Sequence, residues 1–199
     1  MKRKFEDVLI SWKNKHSRKP ALIYGARQIG KTTSIKYFGE KHFQNTIYIN
    51  FELNRELAED FQGNISPDFL IHRFEVYFGE KIDKETTLIV FDEIQACERA
   101  LTSLKYFCED APEYYVIGAG SLLGVAIKRE DFSFPVGKVN QIHMVPMDFE
   151  EFLWAKNQEM LADEIRAYYE KCEPLDPALH KKAMSLYREY LIVGGMPEA

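Results

Sequence analysis

The run GARQIGKT, residues 25–32, constrains this chain more than any other feature. It meets the pattern G-x-x-x-x-G-K-[ST] in full, behind an apolar ALIY and ahead of a helix-compatible segment. Glycines at both ends let the backbone fold into a tight concave loop. The loop N–H groups can then surround a phosphate, and the following helix adds the positive end of its dipole. Gly25, Ala26, Arg27, Gln28, Ile29, Gly30, Lys31, Thr32 and Thr33 are therefore the expected phosphate-binding residues. Lys31 would reach the β- and γ-phosphates of a nucleotide, and the Thr32 hydroxyl would ligate Mg²⁺. The competing reading is an ordinary strand–turn–helix connection that precedes a lysine. A strand before the loop and a helix after it favour the phosphate cradle.

A second run, LIVFDEIQ at residues 88–95, is an apolar strand that ends in two carboxylates. Ligands of open parallel sheets bind beyond the C-terminal ends of the strands. Asp92 is thus placed to hold Mg²⁺ through a water, and Glu93 to accept a proton from an attacking water. A solvated acidic strand end has the same pattern, but beside a phosphate loop the pair completes a hydrolytic site. A guanine-specific protein needs N-K-x-D downstream of the loop, and the chain's Asn-Lys pair, Asn14-Lys15, lies upstream. Small-molecule kinases share the loop but rarely need a second carboxylate to activate water. ATP hydrolysis is the favoured reaction, with ATP and Mg²⁺ as the ligands.

The remaining pattern supplies a scaffold for these two runs. Phe5, Val8, Leu9 and Trp12 recur at helical spacing, and Ile35, Phe38 and Phe43 carry the helix after the loop to about residues 44–45. Strands are expected at residues 46–53, 86–93, 113–121 and 141–147, in addition to the one before the loop. Ser66-Pro67 opens a helix that Gly79 stops, and residues 97–110 are helical again. Asp148 with Glu151 forms a capping-box pattern, and Asp176-Pro177 starts a last helix striped with Leu179, Ala183, Leu186, Tyr187, Tyr190 and Leu191. Strands alternating with helices predict an α/β fold, a doubly wound parallel sheet between helical layers. The core is expected over residues 1–147 and a helical appendage over residues 148–199. Because the last stripe has no obvious partner, Tyr187, Tyr190, Leu191 and Ile192 should be underburied, and the natural chain is expected to continue into a further domain.

Bulk properties exclude more than they assign. With 199 residues and 46% hydrophobic content, the chain needs no disulfide or metal staple. Cys97, Cys108 and Cys172 form no CxxC pair, which fits a reducing, cytoplasmic setting. Glu6 and Asp7 interrupt the basic N-terminus before any signal-peptide core, and no apolar run is long enough to span a membrane. Net charge is −5, divided into +7 over residues 1–40 and −12 over the rest. The basic end could face a polyanion; ATP is one, and net charge gives a nucleic-acid partner no support.

In order along the chain, GARQIGKT, INFE, FDEIQ, GSLL, PVGKV, PMDFEEFL and YLIVGGMPEA resemble a family of prokaryotic AAA+-like P-loop ATPases. In that family the ATPase domain precedes a C-terminal domain of unknown function. The resemblance spans nearly the whole chain. It implies the three-layer α/β/α P-loop fold with a catalytic glutamate and a five-stranded sheet of order 5-1-4-3-2. It also implies that Ser121 stands at the sensor position near the γ-phosphate and that Asn50 restrains Glu93. Much of the family has Gly-Arg before the fifth strand, where this chain has Gly137-Lys138. Lysine supplies the charge of an arginine finger without its bidentate fork. Either Lys138 is a weaker finger completing a neighbour's site by self-association, or Arg99 or Arg129 serves, or hydrolysis is slow. The rival readings are a non-hydrolysing ATP switch and a nucleic-acid-associated module of a defence or mobile-element system.

Overall fold

The computed structural model describes residues 2–121 and 137–197. In chain order the elements are α1 (Phe5–Lys13), β1 (Ala21–Tyr24), α2 (Lys31–His42), β2 (Asn45–Asn50), α3 (Arg55–Asp60) and α4 (Pro67–Phe78). Then come β3 (Thr87–Asp92), a 3-10 turn (Ile94–Ala96), α5 (Glu98–Asp110), β4 (Tyr115–Gly120), β5 (Asn140–His143), α6 (Phe149–Ala155), α7 (Glu159–Lys171) and α8 (Pro177–Val193).

All strand pairs are parallel, in the order β2-β3-β4-β1-β5, which is the expected 5-1-4-3-2 read from the other edge. Alternation along each strand sends neighbouring side chains to opposite faces. Ile23, Val90 and Ile117 meet Phe5, Leu9 and Trp12 of α1 and Ile35 and Phe38 of α2. Leu22, Ile89, Phe91 and Val116 meet Leu70 and Phe74 of α4 and Leu101, Leu104 and Phe107 of α5. Every residue of β3 is buried, as befits a strand covered on both faces. Each such apolar side chain contributes about 1.5–3 kcal/mol by leaving water. Because the strands run parallel, all five C-terminal ends open on one edge, where the loop after β1 and the acidic end of β3 lie side by side.

Helices α6, α7 and α8 share a smaller core of Leu153, Leu161, Ala162 and Ala183. The capping box is formed: Asp148 accepts the N–H of Glu151, and Glu151 accepts the N–H of Asp148. Along the expected stripe of α8, Leu191 is 63% exposed and Ile192 86% exposed. Tyr190 is better covered, because its ring packs on Phe149 and Phe152 and its hydroxyl donates to the Met147 carbonyl. Among the described residues, no helix is long and apolar enough to cross a membrane.

Several boundaries differ from expectation. The second strand stops at Asn50 rather than residue 53, because the Asn50 side-chain oxygen accepts the N–H groups of Glu52 and Leu53 and turns the chain. The short helix α3 then follows, which the sequence pattern had not marked. The fifth strand ends at His143 rather than residue 147, since β1, its neighbour among the described residues, ends at Tyr24. One further bond, Met144 N–H to the Tyr24 carbonyl, closes that pairing. Helix α2 stops at His42, where the Phe43 N–H caps the Gly39 carbonyl.

Candidate functional site

The loop between β1 and α2 is shaped by two glycines. A Cβ on Gly25 would fall 2.2 Å from the Met144 carbonyl oxygen, so no larger residue fits between β1 and the segment after β5. Gly30 caps α2 with φ +88°, a left-handed conformation that costs other residues energy. Gln28 adopts φ +62° without being glycine, so the loop holds local strain between the two. The result is a concave backbone at the start of a twelve-residue helix.

A cavity of about 410 Å³ opens over this loop, walled by Arg27, Gln28, Gly30, Lys31, Thr32 and Thr33 from the loop side and by Glu52, Glu93 and Ser121 from the strand ends. Lys31 as a whole residue is 7% exposed, and its ammonium donates to the Gly25 and Ala26 carbonyls, at 3.0 and 2.6 Å. Burial pushes its pKa down, and the nearby Glu93 and Asp92 carboxylates partly oppose that. Among the described residues the Lys31 hydrogen bonds go to carbonyl oxygens, which a phosphate could replace as the stronger partner of a cation.

Asp92 ends β3 and is 2% exposed. One carboxylate oxygen accepts the Glu93 N–H at 2.9 Å, and the other accepts the Thr32 hydroxyl at 2.8 Å. The Tyr48 hydroxyl from β2 donates to that second oxygen too. Burial, followed by this bond to Asp92, raises the Tyr48 pKa, so the phenol remains a donor at neutral pH. Thr32 spends its proton on Asp92 and keeps lone pairs facing the cavity. A hydroxyl and a carboxylate are hard oxygen donors suited to Mg²⁺, which takes few protein ligands and completes its shell with phosphate and water. Among the described residues there is no cluster of three or more His, Cys, Asp or Glu that would hold a metal by protein alone.

Glu93 sits at φ +47°, which swings its side chain out of the strand direction and onto the cavity wall. Its carboxylate accepts the Gln95 side-chain N–H at 2.5 Å. The Gln95 side-chain oxygen, Oε1, is buried without a hydrogen-bond partner among the described residues. Asn50 lies opposite Asp92 in the β2–β3 register, but its side-chain oxygen is taken by the turn that follows. Among the described residues the side-chain hydrogen bond that Glu93 accepts comes from Gln95, while that turn leaves the Asn50 amide N–H groups uncommitted. Ser121, just past β4, borders the cavity and takes a long 3.5 Å bond from Arg27 Nε.

Lys138 is not in this cavity. It precedes β5, whose Asn140 lies beside Ala21, the first residue of β1, so it stands at the opposite edge of the sheet from the loop. It forms a 2.8 Å ion pair with Glu109, and that bond raises its pKa. Arg99 is turned toward the Phe61 and Gly63 carbonyls. Arg129 lies outside the described residues.

Three neighbours of the site were not singled out from the sequence. Tyr48 shares a strand face with Asn50 by the two-residue period, the one signal that pointed to it. Gln95 stood inside the quoted FDEIQ without a role. Arg3 donates to the Ile29 carbonyl behind the loop at 2.9 Å.

A family model described as AAA domain matches residues 17–153. Among solved structures the chain is similar to the ORC1 protein of Aeropyrum pernix in complex with DNA, at 16% identity and TM-score 0.47, covering 79% of this chain and 48% of that one. It is similar to AMPPCP-bound DnaA from Aquifex aeolicus, at 18% identity and TM-score 0.48, covering 77% and 49%. It is also similar to C. elegans PCH-2, at 12% identity and TM-score 0.43, covering 87% and 48%. The chain thus spans about half the length of each of these proteins. Comparison with curated proteins finds no match. Since the matched residues make up more than half of its length, the chain belongs to the AAA domain family.

Proposed function

We propose that this AAA domain binds ATP with Mg²⁺, hydrolyses it, and uses the cycle to move its helical segment and whatever domain or partner that segment carries. The observation that carries this reading is the 2.8 Å hydrogen bond from Thr32 to Asp92. It brings the phosphate loop and the acidic strand end together beneath one cavity, with Lys31 beside them.

In this reading the phosphates displace the Gly25 and Ala26 carbonyls as partners of the Lys31 ammonium, and loop N–H groups take the remaining oxygens. Thr32 and Asp92 would hold Mg²⁺. Mg²⁺ would neutralise charge on the β- and γ-phosphates as the bond to the γ-phosphorus breaks. Glu93 releases Gln95 and accepts a proton from the attacking water, and Ser121 contacts the γ-phosphate end. A second cavity of about 160 Å³ lies beside the loop, bordered by Arg3, Glu6, Thr33, Ser34, Tyr37 and Pro197 among others. In this reading Lys138, at the far edge of the sheet, would serve a neighbouring copy rather than its own site.

Calorimetric titration with Mg-ATP tests the binding half. Lys31→Ala removes a charge-assisted contact worth about 1.5–3 kcal/mol, so affinity should fall roughly 10–100-fold. Unchanged affinity in Lys31→Ala overturns the assignment of the loop.

A further inference from the structure

Arg3 is an unusual residue to find buried. It precedes α1 in the basic run Lys2-Arg3-Lys4, yet its side chain is only 6% exposed. Its guanidinium reaches three separate parts of the chain. Nη1 donates to the Ile29 carbonyl in the phosphate loop at 2.9 Å, and Nη2 to the Val145 carbonyl after β5 at 2.9 Å. Nε donates to Glu151 Oε1 at 3.0 Å. Glu151 is the capping-box residue of α6, 4% exposed, and its two oxygens also accept the N–H groups of Lys4 and Asp148.

The Ile29 carbonyl and the Gly30 N–H are the two ends of one rigid peptide plane. A phosphate that draws that N–H into the loop must also turn the oxygen that Arg3 holds. Arg3 cannot follow without disturbing Glu151, because its planar fork fixes the relative directions of its donors. Glu151 in turn fixes the first turn of α6. The end of α8 returns to the same place: the Met147 N–H donates to the Gly195 carbonyl at 2.8 Å, and Pro197 lies against Gly30. The loop, the start of α6 and the segment that follows α8 therefore meet near one buried guanidinium.

We infer that Arg3 is the positioning residue that transmits occupancy of the phosphate loop to the helical segment, through its shared contacts with Ile29 and Glu151. The inference rests on the nucleotide-binding reading and adds the route by which binding leaves the site. A purely architectural Arg3 would lower the melting temperature when replaced, but would leave the response of α6 to nucleotide intact.

Hydrogen–deuterium exchange separates these cases, with and without a saturating non-hydrolysable ATP analogue and Mg²⁺. In the wild-type protein, exchange should slow over residues 25–34 and change by about fivefold or more over α6, the lower range of coupling between sites. In Arg3→Gln the loop should still be protected, while the change over α6 disappears. Glu151→Gln keeps the side-chain shape and both carbonyl contacts of Arg3, and covers the case in which Arg3→Gln does not fold; it should weaken the α6 response with loop protection retained. Arg3→Lys, with its single-point charge, should fail to restore the response. Loop protection without any α6 change in the wild type, or a full α6 response in the folded variants, overturns the inference. An unprotected loop in the wild type is a different result: it overturns nucleotide binding itself, and the coupling falls with it.

Discussion

Asp92 has both carboxylate oxygens committed before any metal arrives, to the Glu93 N–H, the Thr32 hydroxyl and the Tyr48 hydroxyl. A carboxylate held this way cannot rotate to follow a metal, so it presents one fixed orientation. Tyr48 is the donor that a P-loop pattern does not require. Its ring is also covered by the Lys36 ammonium, 4.2 Å from the ring centre. Tyr48→Phe keeps the ring and removes the donor, a loss of about 1.5–3 kcal/mol at a buried charged acceptor. The expected result is a several-fold rise in the Mg²⁺ concentration needed for half-maximal turnover, with ATP affinity in excess Mg²⁺ little changed. An unaltered Mg²⁺ requirement would show that Thr32 and the Glu93 N–H orient Asp92 unaided. The phosphate loop, Asp92 and Glu93 were legible because each is a local string beside a strand. Arg3 was not, since nothing in Lys2-Arg3-Lys4 tells which of three cations is buried. Gln95 and Tyr48 were hidden for the same reason: their partners are set by tertiary approach, and a spacing rule sees only the face.

At the level of elements, apolar runs bounded by turn residues predicted five strands, and the described residues form a five-stranded sheet. The errors fall at strand ends, where side-chain hydrogen bonds compete with the ladder. Asn50 diverts β2, and the four-residue β1 leaves β5 nothing more to pair with. The helical segment is tied internally by Arg166 of α7, which donates twice to Glu150 of α6. That bond is the main cause holding the Glu150 carboxyl below its ordinary pKa, with Lys4 adding to it and burial opposing. A carboxyl whose folded pKa is depressed stabilises the fold above its unfolded pKa of about 4.3 and loses that contribution as pH falls through the folded value. Arg166→Ala should therefore melt lower than wild type near neutral pH, and the gap should shrink as the pH drops well below 4.3. A gap in melting temperature that stays constant across that range would assign the effect of Arg166 to packing instead of charge.

For the whole molecule, the parallel sheet sets the cavity and Lys138 on opposite edges. The C-terminal edge carries the loop, Asp92, Glu93 and Ser121, while the N-terminal edge carries Lys138, paired with Glu109. A cation on the far edge can reach a nucleotide only in another copy, and such a cation can be worth 10³–10⁵ in rate when it is an arginine. Turnover per molecule should rise with protein concentration and fall in Lys138→Ala, while ATP affinity stays near wild type, because the contact forms in the transition state. Turnover independent of both concentration and Lys138 would leave that residue with only its surface ion pair. The central claim is that Glu93 makes this domain a hydrolase and not merely a nucleotide-binding switch. Paired measurements of Mg-ATP affinity and steady-state phosphate release in Glu93→Gln test it most directly. Gln keeps the shape but cannot take a proton, so affinity should be retained while turnover falls at least about 100-fold. Turnover equal to wild type, with binding intact, would contradict the account.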